Sequence, residues 1–271
     1  WISSDQADQA NQPNQPEEAN PWLAWLKSRQ GWSDALDQAR KVKSLDIIAL
    51  TTGHPLYPVR LRQINDAPAI LYVRGQRFRE AQQQPCWITV IGTRNPTLYG
   101  QLVTEQITTD LARQGAVIVS GLARGIDTIA HETALEQQAL TLAVVASGVD
   151  IIYPAANQRL SERIREQGAI VSEHPPGTPP LRQYFPARNR ILSGLSDAVA
   201  VMEAAQKSGT LITSTFAADQ GREVLAVPGN ILDRASCGCH QLIRDGASLL
   251  ESSADIFAVL PKSSRPVCSV V

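Results

Sequence analysis

From residue 87 to residue 127 the sequence changes its hydrophobic period twice, and each change is marked by glycine. Residues 88–91 are a short, partly β-branched apolar run that stops at Gly92-Thr93-Arg94, as a buried parallel strand feeding a tight turn does. Leu102, Val103, Ile107 and Leu111 then recur at helical spacing, and Gly115 stands where a helix ends. Residues 117–119 form a second strand, stopped by Ser120-Gly121 before Ala123-Arg124-Gly125-Ile126-Asp127. Strand, loop, helix, strand and loop in this order predict parallel strands joined by helical crossovers. Each of the two strands ends in a glycine loop carrying one arginine.

The alternation continues down the chain. Residues 142–146, 169–173, 198–202 and 224–227 read as further buried strands, with helices expected at 157–167, 241–245 and 254–260. Apolar pieces at 45–50 and 70–73, broken by prolines, read as edge strands. The fold expected is α/β, a doubly wound, mostly parallel sheet. Residues 1–20 are too polar to bury a core and read as a flexible linker. Residues 21–45 carry Trp22, Trp25 and Trp32 and read as a short helical N-terminal remnant, whose tryptophans either pack on a neighbouring part or stack on bases. The main domain is expected over 46–260, with a tail at 261–271.

In such a sheet the strand-end loops meet at one edge, where ligands bind, and helix amino termini offer N–H groups to anions. Gly92, Thr93 and Arg94 in the first loop and Gly121 and Arg124 in the second form a candidate phosphate site, for a nucleotide or a nucleic-acid backbone. The alternative is that both are ordinary tight turns. Neither matches a dinucleotide or Walker pattern. A third loop supplies a point charge at Lys207 and donors at Ser208, Gly209 and Thr210. Behind the stiff segment 175–180 follow Arg182, Tyr184, Phe185, Arg188, Asn189 and Arg190. Arginines beside rings suit a single-strand groove, where each stacked base contributes roughly 1 to 3 kcal/mol. The other possibility is that Arg188 and Arg190 pair with acids and Phe185 is core.

Two other groupings call for chemistry of their own. Asp127 stands at an expected helix N-cap, with His131 four residues on and Ser120 nearby, which evokes a Ser-His-Asp hydrolase. The nucleophile pattern G-x-S-x-G is absent there and around Ser147. Cys237, Cys239 and His240 form a C-x-C-H cluster with only distant Cys86 and Cys268 to complete it, so a turn is expected rather than a metal site.

Composition narrows the partners. A formal net charge of -1 over 271 residues provides no general basic field, so any polyanion must meet a local cluster. Four cysteines do not suggest a disulfide scaffold, and neither a membrane-length apolar run nor a signal-peptide pattern is seen. The chain is therefore expected to be cytoplasmic, with no membrane association.

With these loops in view, the sequence resembles the DNA-processing protein A family, also called Smf. The matching pieces are Gly92-Thr93-Arg94, Ser120-Gly121-Leu122-Ala123-Arg124-Gly125-Ile126-Asp127, and Gly148-Val149-Asp150 with Tyr153-Pro154. They continue through Phe185-Pro186-Ala187-Arg188-Asn189-Arg190, Ser208-Gly209-Thr210-Leu211-Ile212-Thr213 and Gly221-Arg222-Glu223 to Pro228-Gly229. Ala146 stands where that family usually has glycine, and His240 where asparagine is common.

The resemblance implies an extended Rossmann-like domain holding single-stranded DNA at the strand carboxyl ends. Family members are recombination mediators that load the RecA recombinase onto incoming strands in natural transformation, and they act as homodimers. Carried over by motif, Arg94 grips a phosphate, Arg188 and Lys207 add charge, and Gly92, Thr93, Ser208, Gly209 and Thr210 supply donors. With Gly121, Arg124, Phe185 and Asn189 these make the expected DNA-binding set, with no catalytic residue, metal or cofactor. The competing resemblance is to Rossmann-like nucleoside-monophosphate phosphoribohydrolases. Those carry a glutamate where this chain has Thr213, which cannot serve as a general base at neutral pH.

Overall fold

The structure is a computed structural model that describes residues 29–206 and 208–265. The linker 1–20, Trp22, Trp25, the Trp32 side chain, Lys207, Cys268 and the end of the tail lie outside the described residues. The chain divides into two compact units, one through Lys41 and one from Val42. The described part of the first is the start of helix α1 (Arg29–Ser44). Its Arg40 and Asp37 form an exposed ion pair at 3.0 Å, of a kind that contributes little to stability.

The second unit is built on nine strands: β1 (Ile48–Thr51), β2 (Ile70–Arg74), β3 (Trp87–Ile91), β4 (Val117–Ser120), β5 (Thr141–Val144), β6 (Gly168–Ser172), β7 (Ala198–Val201), β8 (Glu223–Ala226) and β9 (Ser248–Leu249). Between them run α2 (Val59–Arg62), α3 (Phe78–Ala81), α4 (Leu98–Arg113), α5 (Ile126–Glu136), α6 (Gln158–Gln167), α7 (Tyr184–Gly194), α8 (Thr210–Asp219) and α9 (Cys237–Arg244), with α10 (Ser253–Val259) last. The strands lie side by side in the order β1-β2-β6-β5-β4-β3-β7-β8-β9. Every pairing from β6 across to β9 is parallel, while β2 runs antiparallel to β6 and β1 antiparallel to β2. The expected doubly wound, mostly parallel, Rossmann-like sheet is present, and the proline-broken pieces form its antiparallel edge.

The central strand shows why this sequence takes this form. All five residues of β3 are buried, and their period of two sends alternate side chains into different layers. Ile88 and Val90 meet Ile107 and Leu111 of α4 and Ile126, Ala130 and Ala134 of α5. Trp87 and Ile91 meet Ile191 and Leu192 of α7. Each large side chain so buried contributes about 1.5 to 3 kcal/mol. Thr89 points toward α7 as well, and its hydroxyl donates to the Leu192 carbonyl at 2.8 Å. That bond fixes α7, which carries the arginine-aromatic run.

One helix starts earlier in the chain than the sequence pattern predicts. The helix expected at 241–245 begins four residues earlier, at Cys237, so the C-x-C-H cluster lies on a helix rather than in a turn. Glycine and cysteine are weak helix formers, but tertiary packing decides here. The Gly238 N–H donates to the Ala204 carbonyl at 2.7 Å, and Cys239 is 1% exposed against the same core as Leu242 and Ile243.

Strand order reverses at β3. Its neighbour β4 is reached by the first crossover, whereas β7 is reached only after the chain has returned from β6 on the far side. Loops from both halves of the sheet therefore meet at the carboxyl end of β3, the position where such sheets open a crevice.

Candidate nucleic-acid interface

The loop after β3 is held by close backbone contacts. A Cβ on Gly92 would lie 2.5 Å from Ile126 Cγ1 and 2.9 Å from the Glu203 carbonyl, so only glycine fits. The Thr93 N–H donates to the Glu203 carbonyl at 2.8 Å. Glu203 itself is 2% exposed, and its carboxylate accepts from the Thr97 N–H at 2.8 Å and from Thr97 Oγ1 at 2.5 Å. Thr97 is the N-cap of α4, so the buried carboxylate sits at a helix amino terminus, where negative charge is stabilised. Glu203 thereby ties the end of β7 to the loop that presents Arg94.

The loop after β4 crosses the first one. The Ile126 N–H donates to the Thr93 carbonyl at 3.2 Å, and Gly125 adopts φ 78° with no room for a Cβ against Thr93 and Arg94. Gly125, not Asp127, is the N-cap of α5. The expected capping role of Asp127 is therefore corrected: the chain needs a left-handed residue to bring the two loops together, and this starts the helix earlier. Asp127 lies inside the first turn, 6% exposed, and accepts from the Ala123 N–H at 3.3 Å. Burial pushes its carboxyl above the usual carboxylate range, opposed by the nearby Arg188 charge and by hydrogen bonds from the loop.

Arg188 reaches this point from α7. It is 6% exposed, and its Nη1 donates to the Gly121 carbonyl at 2.7 Å and the Val144 carbonyl at 2.5 Å. Among the described residues it forms no ion pair with a carboxylate, and its Nε has no hydrogen-bond partner. Burial lowers its pKa to about 10, with Asp127 opposing and Arg94 adding to the shift, so it stays charged at neutral pH. Arg190, two residues on, leaves the helix in another direction and pairs with Glu173 at 2.5 Å and Asp66 at 2.9 Å. The two arginines, which the residue pattern alone does not separate and of which the family resemblance selects Arg188, thus have opposite fates. Phe185 lies under both cleft guanidiniums, 5.8 Å from Arg94 and 6.0 Å from Arg188. Tyr153 meets it edge-on at 5.9 Å.

The loop after β7 closes the other side. Thr210 Oγ1 donates to the Gly92 carbonyl at 3.1 Å, and Ser208 Oγ donates to Thr210 Oγ1 at 2.9 Å. These hydroxyls, expected as ligand donors, knit two loops together.

Together the loops enclose a cleft of about 830 Å³. Of the expected set, Gly92, Arg94, Phe185, Arg188, Asn189, Ser208, Gly209 and Thr210 line it. Thr93 and Gly121 stand behind the lining and act through backbone bonds to Glu203, Ile126 and Arg188. Arg124 is exposed and outside the lining. Tyr153, Arg182, Asp127 and Thr213 also line the cleft, outside the DNA-binding set expected from the sequence. For Arg182 the signal was its place in the arginine-aromatic run; for Thr213 it was the helical spacing from Gly209.

Ser120, His131 and Asp127 do not form a hydrolase triad. Ser120 Oγ donates to the Val90 carbonyl at 2.6 Å. His131 is fully buried, with Nδ1 at 2.7 Å from Thr141 Oγ1. Thr141 gives its own proton to the Ile118 carbonyl, so Nδ1 carries the imidazole hydrogen. Burial is the main cause that lowers the His131 pKa from 6.5 to about 3. The neutral imidazole is thus the folded form, while the unfolded chain takes up a proton below pH 6.5. His131 therefore stabilises fully above that pH and loses its contribution as pH falls toward 3, by up to about 1.4 kcal/mol per pH unit. Asp127, shifted upward, acts with the opposite sign. Urea midpoints between pH 7 and 4 should accordingly fall more steeply for the parent than for His131→Leu, and equal slopes would refute the assignment. Among the described residues no cluster of three His, Cys, Asp or Glu forms a metal site.

Residues 48–261 match the model of the family described as DNA recombination-mediator protein A. The DNA processing protein DprA of Bacillus subtilis is 43% identical over 206 residues, covering 76% of this chain and 69% of that protein. Protein Smf of Escherichia coli is 43% identical over 201 residues, 74% of this chain and 53% of the relative. Among solved structures, DprA from Streptococcus pneumoniae superposes with a TM-score of 0.76 at 38% identity, covering 87% of this chain and 83% of its own. DprA from Helicobacter pylori, described for its single-stranded DNA binding mode, gives 0.71 at 30% identity, covering 79% and 95%. By sequence over most of its length and by fold, this chain belongs to the DNA recombination-mediator protein A family.

Proposed function

We infer that the cleft at the carboxyl end of β3 binds single-stranded DNA, with arginines on phosphates and bases stacking at Phe185. The observation that carries this reading is Arg188, a buried charged guanidinium in a cleft wall with no carboxylate ion pair among the described residues. A buried cation that no carboxylate meets at ion-pair distance costs several kcal/mol, which the nearby Asp127 opposes only in part and an anionic ligand offsets. Arg94 and Arg182 at the exposed rim extend the same charge. The DNA-binding set proposed is that expected from sequence, including Lys207, Gly121 and Arg124, within a domain over 46–260. The H. pylori relative's single-stranded DNA binding mode supports this assignment.

On this reading the protein is a non-enzymatic recombination mediator, acting in the cytoplasm as a homodimer, that loads the RecA recombinase onto incoming strands. Thr213, buried at the cleft wall, stands in for the glutamate of the phosphoribohydrolases and offers no general base. Binding without base specificity is expected, since stacking and phosphate contacts read no sequence directly.

The test is fluorescence anisotropy of a labelled oligo-dT across a salt series. Neutralising three or four phosphates gives a slope of log K against log salt of about -2 to -3, and Arg94→Ala should flatten it by about 0.7. A salt-independent affinity, or release of ribose 5-phosphate from a nucleoside monophosphate, would overturn the reading.

A further inference from the structure

The charged groups of the cleft lie at two depths. Arg94 and Arg182 are exposed at its mouth, whereas Arg188 sits with Ile91, Leu192 and Thr213 among its buried walls. Arg188 cannot swing outward to meet a passing strand, because its Nη1 is held by the Gly121 and Val144 carbonyls. A phosphate must come to it. An internal phosphodiester carries chain on both sides, and both arms have to leave by the same mouth. A terminal phosphate carries chain on one side only, or a single nucleoside. It is also a dianion near neutral pH, with a second pKa near 6, where a phosphodiester has one negative charge. The cleft volume of about 830 Å³ falls in the range of small-molecule sites.

Resting on the single-strand reading, we propose that the deep part of this cleft is a phosphomonoester site. Arg188 there takes the terminal phosphate of a DNA strand or of a free nucleotide in preference to an internal phosphodiester. Arg94 and Arg182 at the mouth take phosphodiesters of either kind of strand end. Burial raises the pKa of Asp127, the carboxyl beside Arg188, and the Arg188 charge opposes that rise.

The experiment is competition against a 3′-labelled oligo-dT bound to the full chain. The competitors are unlabelled oligo-dT bearing a 5′-hydroxyl, a 5′-phosphate or a 3′-phosphate, and separately thymidine 5′-monophosphate and thymidine. A phosphorylated end is expected to compete about tenfold better than a hydroxyl end, and the monophosphate is expected to compete where thymidine does not. The advantage should shrink from pH 7.5 to 5.5 as the monoester takes up its proton. Arg188→Lys should collapse the ratio, while Arg94→Ala weakens both kinds of strand alike. If only the phosphorylated strands gain, the ligand is a strand end; if the monophosphate gains as well, free nucleotides share the site. Equal competition by phosphorylated and hydroxyl ends, with no effect of the monophosphate, overturns the inference and leaves single-strand binding standing. If no oligonucleotide binds, titration calorimetry with the monophosphate decides. Binding there keeps the monoester site while the single-strand reading falls, and no binding ends both.

Discussion

Arg188→Met is expected to weaken binding of oligo-dT carrying a terminal phosphate by at least about thirtyfold while leaving the protein folded. The binding loss follows from removing a desolvated charge aimed at an anion, a change that typically costs 2 kcal/mol or more. The stability outcome is a contest between two terms of similar size. Methionine leaves the Gly121 and Val144 carbonyls without the Arg188 donor, at about 1 to 3 kcal/mol for each acceptor left unsatisfied. It also removes a buried cation that forms no ion pair with a carboxylate among the described residues, relieving a desolvation penalty of several kcal/mol. Loss of the Arg188 charge also removes the main influence opposing the burial-driven rise of the Asp127 pKa. The net change in urea stability should stay within about 2 kcal/mol. Anisotropy and urea denaturation on the same sample check both halves. Retained DNA binding in this variant would show that the deep cation is not the anchor.

The second large effect is expected at Glu203, which lies outside the lining of the cleft. Glu203→Ala removes the acceptor for the Thr97 N–H and hydroxyl at the start of α4. Two charge-assisted bonds and a helix-end charge are lost together, and a loss of about 3 kcal/mol is expected. For a domain of this size that lowers Tm by about 6 to 12 °C. Because the same residue tethers the loop bearing Arg94, oligo-dT affinity should fall as well, by about tenfold. Glu203→Gln keeps one acceptor oxygen and should recover part of both losses. If the alanine variant loses stability but binds DNA normally, the loop holds its shape without Glu203 and the positioning role is wrong.

Much of this molecule was legible before its structure. The period-two burial of Ile88 and Val90 against Trp87 and Ile91 is local, so the strand, its parallel partners and the doubly wound layers followed from pattern alone. So did the gathering of three glycine loops at one sheet edge. What was not legible depends on directions that only packing sets. Arg188 and Arg190 are two residues apart on one helix, and nothing in their order says which faces the cleft and which meets Asp66 and Glu173. Asp127 looked like a cap because the left-handed turn at Gly125 is imposed by another loop, that of Thr93 and Arg94. Cys237 to His240 reads as a turn before a helix at 241–245, because the core that Cys239 enters is not visible in the sequence. Ser208 and Thr210 looked like free donors because the bond from Thr210 to Gly92, onto which Ser208 is hydrogen-bonded, spans a gap in sequence that no motif records.

That gap bears on how the protein is made. Gly92 and Thr210 are 118 residues apart, and β3 acquires its β7 neighbour only after both halves of the sheet's first wing have been synthesised. At ordinary elongation rates of about 5 to 20 residues per second, the interval is about 6 to 24 seconds. Throughout it the apolar β3 stands on the ribosome with one edge unpaired, an invitation to mispairing that a nascent chain must survive. The same delay means that a half-made chain has no cleft. The cleft, and with it the proposed strand site, is completed only once Thr210 and Thr213 have been made.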